Sequence, residues 1–142
     1  MKSVVICGSG RYIDEINQFA ARLKQLGVAR VFTPNFNTRR RTFMTTLEER
    51  ERMESKAYRM QLPAAVFQHL DRIRKADVCF LYNKAGYLGV NTTLEVGFAH
   101  GRDMLIYALE PEGAPESGGE ICRGVLVTDV TPTPEDLFER LH

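Results

Sequence analysis

Glu95 is the carboxylate in this chain best placed for chemistry. It follows a run of small and polar residues, Gly86-Tyr87-Leu88-Gly89-Val90-Asn91-Thr92-Thr93-Leu94. A carboxylate nucleophile must be ionised to attack a sugar carbon. With Asn91 as N-cap, Glu95 falls near the start of a helix, where the dipole favours the ionised form. A plain capping charge, worth a few tenths of a kcal/mol, is the simpler alternative. The company of Gly86, Gly89, Asn91, Thr92 and Thr93 weighs against it.

A second set, Gly8-Ser9-Gly10-Arg11, follows the first apolar run. Backbone N–H groups at a helix N-terminus attract anions, and glycines let a phosphate approach closely. Ser9 adds a hydroxyl donor and Arg11 a fixed positive charge. Ile13 stands where a dinucleotide fingerprint would have its third glycine, and the Gly-Lys-Ser/Thr of a Walker loop is missing. A tight turn that needs small residues is the alternative. Tyr82, Asn83 and Tyr87 surround the Glu95 segment. Their rings can stack on a base and the amide can read its edge, although core packing is the ordinary fate of a residue placed like Tyr82.

His69 and Asp71 lie on a helix ahead of these residues. His69 could donate a proton near neutral pH; a solvated helix residue is the ordinary alternative. His100 reads as structural, and Asp77 begins a strand at the end opposite the site. No His, Cys, Asp or Glu cluster shows metal spacing along the chain, so neither a metal nor a cofactor is expected. Arg39-Arg40-Arg41 could reach a phosphate or simply be a solvated basic loop.

The elements that must position these side chains follow from the apolar pattern. Ser3 to Cys7 shows little alternation, as expected of a strand covered on both faces. Ile13, Ile16, Phe19, Ala20, Leu23 and Leu26 recur at helical spacing, and Gly27 stops that helix. Ala29 to Thr33 predicts a second strand. Asn35 to Thr46 reads as a long loop. Thr46-Leu47-Glu48-Glu49 could open a helix with a capping box reaching about Met60. Pro63 would then start another helix. Val78 to Tyr82 and Met104 to Ala108 predict strands, with the Glu95 helix between them. Cys122 to Thr128 is expected to contain the last strand, and Thr133-Pro134 to cap a final helix. Strands alternating with helices imply one α/β domain over residues 1–142. It would hold a doubly wound parallel sheet of about five strands with helices on both faces, Rossmann- or flavodoxin-like.

Composition is consistent with that. The chain has 142 residues, 44% of them apolar and 26% charged, and a formal charge of +1. Nothing in this balance points to a nucleic acid polymer or a membrane as partner. No apolar stretch approaches the ~18 residues of a membrane span. Cys7, Cys79 and Cys122 are odd in number and far apart. They suggest reduced core thiols and a cytoplasmic location.

Three segments together resemble a known family. They are Ala76-Asp77-Val78-Cys79-Phe80-Leu81-Tyr82, Gly86-Tyr87-Leu88-Gly89, and Thr92-Thr93-Leu94-Glu95-Val96-Gly97-Phe98-Ala99-His100-Gly101-Arg102. This pattern is similar to the core of the nucleoside 2-deoxyribosyltransferase family, which includes 2'-deoxynucleoside 5'-monophosphate N-glycosidases. The resemblance implies Glu95 as the nucleophile on the anomeric carbon and places Ser9 and Arg11 at phosphate-binding positions. It also implies a nucleotide or nucleoside as ligand, and a homodimer or larger homo-oligomer in which a neighbour closes the site. The family's leaving-group Asp position falls here on His69, with Asp71 nearby. Gly89-Val90-Asn91-Thr92 stands where transferases carry Asp-x-Gly-Thr. Both departures favour hydrolysis over base exchange. Two alternatives remain: a nucleotide-binding or sensor protein that breaks no bond, and a lysine-decarboxylase-like phosphoribohydrolase. The Pro-Gly-Gly-x-Gly-Thr pattern of the latter is missing here.

Overall fold

Residues 4–8 are apolar until Gly8, and both faces of the strand they form, β1 (Val4–Gly8), are covered. The computed structural model describes residues 1–34, 51, 53, 54 and 56–142. The expected loop 35–46, the Arg39–Arg41 run and the capping box at Thr46 lie outside the described residues.

After β1 come α1 (Ile13–Gln25), β2 (Val31–Phe32), α2 (Lys56–Lys75) and β3 (Val78–Tyr82). Then follow α3 (Val90–Gly101), β4 (Leu105–Ala108), α4 (Ile121–Gly124), β5 (Asp129–Val130) and α5 (Pro134–Glu139). The strands form one five-stranded parallel sheet in the order β2-β1-β3-β4-β5. The longest pairing runs from Val4 opposite Val78 to Gly8 opposite Tyr82.

Alternate residues of a strand point to opposite faces. Val4, Ile6, Phe80 and Tyr82 therefore meet Ile16, Phe19 and Leu23 of α1, with Leu137 of α5. Val5, Cys7, Cys79 and Leu81 meet Ile73 of α2 and Val96 and Ala99 of α3. Helices thus cover both faces, as the alternation of elements predicts. Gly27 follows α1 with φ +111°, a conformation that suits glycine. Thr133 caps α5 reciprocally with Asp136, with Pro134 at the first helical position.

Three expectations need correction. Pro63 does not start a helix; it lies inside α2, exposed to solvent. A proline there removes one backbone donor, and α2 continues because Tyr58, His69 and Ile73 are buried on either side of it along the helix. The second strand is only Val31–Phe32. Residues 121–124 are helical instead of extended, and the last strand comes later, at Asp129. Local β-propensity loses there because Arg123 turns inward to a carboxylate while Ile121 and Val125 face outward. No helix among the described residues is long and apolar enough to cross a membrane.

Candidate active site

The strand order reverses between β1 and β3, because β2 lies on one side of that pair and β4 on the other. Open α/β sheets bind ligands in the crevice that such a reversal leaves at the carboxyl ends of the strands. Two turns frame it here. Residues 8–11 leave β1, residues 83–89 leave β3, and they are neighbours because Gly8 pairs with Tyr82.

The first turn is built on a close approach. A Cβ on Gly8 would lie 3.0 Å from Ile16 Cδ1 and 3.1 Å from Tyr82 Cβ. The Oγ of Ser9 accepts a bond from the Arg11 backbone N–H at 3.1 Å and caps a short 3-10 turn, Gly10–Tyr12. Gly10 is buried and Arg11 exposed. The Arg11 guanidinium lies 3.9 Å from the centre of the Tyr87 ring, so it bridges the two turns by a cation–π contact.

In the second turn Gly86 has φ +72°, and a Cβ there would be 3.2 Å from Gly113 Cα. The amide of Asn83 is buried and engaged at both ends. It donates to the Glu110 carbonyl at 2.8 Å and accepts from the Glu110 N–H at 2.9 Å. Asn83 therefore joins two loops, and its amide is held in place by that pairing. Tyr82 also departs from the expected set. It packs beside Phe19 and Tyr12 on the α1 face, and its hydroxyl donates to Glu15 at 3.1 Å. Burial pushes that phenol up to about 12.

Gly89, not Asn91, is the N-cap of α3. Its carbonyl accepts bonds from the backbone N–H and Oγ1 of Thr93, both at 3.0 Å. Asn91 is exposed in the first turn and Thr92 is buried. Thr93 Oγ1 also accepts from Arg123 at 2.9 Å. Arg123 in turn pairs with Glu112, so the loop after β4 is tied to the start of α3.

Glu95 is only 5% exposed. Its Oε2 lies 3.8 Å from Nε2 of His69, itself 4% exposed. That same Nε2 is 3.4 Å from Sγ of Cys7. The Cys79 thiol donates to Cys7 Sγ at 3.8 Å. The three donor atoms of Cys7, His69 and Glu95 lie within 4.8 Å of one another. Cys7 immediately precedes Gly8, so this cluster sits at the foot of the crevice. His69 Nδ1 has no hydrogen-bond partner among the described residues.

These surroundings overturn the expected charge states. Burial pushes Glu95 from an ordinary 4.5 up to about 8, on the order of 5 kcal/mol against the ionised form. The helix dipole offers roughly 0.3–1 kcal/mol and fades beyond the first turn, and Glu95 sits past that turn. Burial therefore wins. Burial also lowers His69 to about 4, helped by the Arg72 charge. The Cys7 thiol is raised by its bond with Cys79, then by burial and by the Cys79 and Glu95 charges.

Asp71 does not join the cluster. It faces outward and pairs with Lys75 at 2.7 Å, and that bond holds its carboxyl below the ordinary value. His100 is exposed at the end of α3. Asp77 lies at the amino ends of the strands, clasped by the N–H and Oγ of Ser3 at 2.8 and 2.9 Å. The structure thus groups Glu95 with His69, and the Gly8–Arg11 turn with Tyr87, while Gly86 packs on Gly113. Sequence reasoning took Cys7 for a core thiol and missed its place beside them. Each member of the trio comes from a different element, so no local spacing marks it.

No family model matches this chain, and no curated protein matches it. Among solved structures it is similar to a conserved protein from Enterococcus faecalis V583. The TM-score is 0.60 at 14% identity, over 99% of this chain and 97% of that one. At that identity the likeness shows a shared α/β fold.

Proposed function

We propose that the protein hydrolyses the N-glycosidic bond of a nucleoside 5'-monophosphate or a related nucleotide, with Glu95 as nucleophile and His69 as its proton partner. The observation that carries this reading is the approach of Glu95 Oε2 to His69 Nε2 at the foot of the switch-point crevice. The resemblance of residues 76–102 to deoxyribosyltransferase cores supports it, as does the Gly8–Arg11 turn beside the crevice.

The chemistry follows from the pair. One proton resides on Glu95 and His69 together. As the bond to the base stretches and the sugar gains oxocarbenium character, this proton passes from Glu95 to His69 Nε2. Glu95, now anionic, attacks C1' and forms a glycosyl ester. The base departs with the bonding electron pair and takes the proton from His69. Neutral His69 then accepts a proton from water, which attacks C1', and Glu95 leaves. Base and sugar 5-phosphate are the products. Arg11, stacked on Tyr87, keeps its N–H edges available for a phosphate.

Self-association belongs to the same proposal. Val90 and Leu94 of α3 are 82% and 66% exposed, and Ile121 and Val125, at α4, are 74% and 73% exposed. Such an apolar surface favours burial against another chain; light scattering on the eluting protein tests it.

The burial of Glu95 favours a second reading, in which a nucleotide is held and no bond breaks. Incubation with a panel of nucleoside 5'-monophosphates, followed by chromatography for free base and calorimetry for binding, decides between the two. Free base supports hydrolysis. Binding without free base supports the second reading and overturns the first.

A further inference from the structure

The Cys7–His69–Glu95 cluster offers chemistry that the glycosidic reading does not use. One sulfur, one imidazole nitrogen and one carboxylate oxygen face each other from β1, α2 and α3. His69 Nε2 is their meeting point, 3.4 Å from Cys7 Sγ and 3.8 Å from Glu95 Oε2. A tetrahedral ion with metal–sulfur bonds near 2.3 Å and metal–nitrogen bonds near 2.0–2.1 Å spaces adjacent donors about 3.3–3.8 Å apart. The Cys7–His69 and His69–Glu95 separations fall in that range, and all three donor atoms lie within 4.8 Å of one another.

We propose that Cys7, His69 and Glu95 form a binding site for a thiophilic divalent cation of the zinc class, and that the loaded protein cannot cleave nucleotides. The donor set selects the metal. A thiolate with imidazole suits zinc or cobalt, whereas magnesium and calcium prefer all-oxygen shells. Placement on a strand and two helices holds the ligands without the entropy cost of gathering flexible loops. Cys79 Sγ lies 3.8 Å from Cys7 Sγ, as the nearest neighbour behind the sulfur ligand. Three protein ligands leave a fourth position for water. Binding replaces the thiol proton of Cys7 and the carboxyl proton of Glu95, and both protons pass to solvent. The site itself is independent of the proposed hydrolysis; only its inhibitory effect rests on that reading.

The test uses the untagged full chain, stripped with chelator, kept reduced and titrated with Co²⁺. The expected result is one equivalent bound, with a thiolate-to-cobalt charge-transfer band and the intense visible bands of a four-coordinate ion. Zn²⁺ should displace it. Cys7→Ser should abolish the charge-transfer band, Glu95→Gln and His69→Gln should weaken binding by at least about tenfold, and Cys122→Ser should change nothing. X-ray absorption on the zinc-loaded parent guards against a Cys7→Ser chain that fails to fold, and should find one sulfur among nitrogen and oxygen ligands. The site is overturned if no band forms, if no sulfur is bound, or if Cys122→Ser removes the signal. One equivalent of Zn²⁺ should then stop base release, and chelator should restore it. Zinc bound with cleavage intact overturns the inhibitory half alone. A metal-free protein that cleaves nothing overturns the hydrolase reading, while the cobalt titration still judges the site.

Discussion

Glu95 Oε2 and His69 Nε2 stand 3.8 Å apart with both side chains buried. The carboxylic acid and the imidazole are each neutral because each has been taken out of water. The pair therefore stores a proton beside the crevice without storing charge.

Replacing the proposed nucleophile is the most direct trial. Glu95→Gln keeps the shape and removes the attacking oxygen, so base release should fall by more than about 10³-fold with an unchanged circular dichroism spectrum. Turnover equal to the parent's would refute the assigned role.

Arg11 should act on the phosphate and not on the sugar. Arg11→Ala is expected to weaken binding of nucleoside 5'-monophosphates by about tenfold or more, the worth of one charge-assisted hydrogen bond. Binding of the matching nucleosides should hardly change. Calorimetry on both ligand series checks this, and an equal loss for nucleosides would contradict it.

Stability of the metal-free protein should depend on pH in a specific way. Glu95 is raised from 4.5 to about 8, so its contribution is complete below about 4.5 and is lost as pH rises to about 8. His69 is lowered from 6.5 to about 4, so its contribution is complete above about 6.5 and is lost as pH falls toward about 4. Between about 4.5 and 6.5 the two slopes cancel. From 6.5 to 8 the parent should lose on the order of 2 kcal/mol, and Glu95→Gln should be spared that loss. Urea unfolding of both proteins at these pH values checks the difference; parallel curves would show that Glu95 is not buried as an acid.

Arg123 should be a stability residue. It is 7% exposed and satisfies Glu112, Thr93 and the Gly118 carbonyl. Arg123→Ala strands a partly buried carboxylate and should cost about 2–3 kcal/mol. A change below about 0.5 kcal/mol in urea unfolding would place the pair among weak surface ion pairs.

Pro63 interrupts the hydrogen-bond ladder of α2 from an exposed position. Pro63→Ala should raise stability by about 1–2 kcal/mol, less than the full helix-propensity difference because alanine also frees the unfolded chain. Thermal unfolding checks this, and a lower melting temperature would contradict it.

The sheet was legible because β1 and β3 are apolar runs that both helical layers cover, and because α1 keeps a strict helical period. Local preference misplaces Pro63 and the Cys122–Thr128 run because tertiary contacts decide them, burial along α2 and Arg123 turned toward Glu112, whereas at α3 the helix simply begins two residues earlier, with Gly89 as its cap. The glycine turns and Glu95 could be found from residue type and spacing. The trio could not, since Cys7 and His69 are 62 residues apart in sequence and touch only once the sheet is layered. Charge state was hidden for the same reason, because burial is a property of the assembled layers.

The Asn83–Glu110 amide staple has a practical result. The segment that runs on from Glu110 carries Glu112, which Arg123 grips, and Cys122 is Arg123's neighbour. Cys122 is exposed while Cys7 and Cys79 are buried. A maleimide dye on that single outward thiol would hang at the far end of a mechanical linkage whose near end is the glycine turn. Its emission would then serve as a remote gauge of whether the crevice is filled.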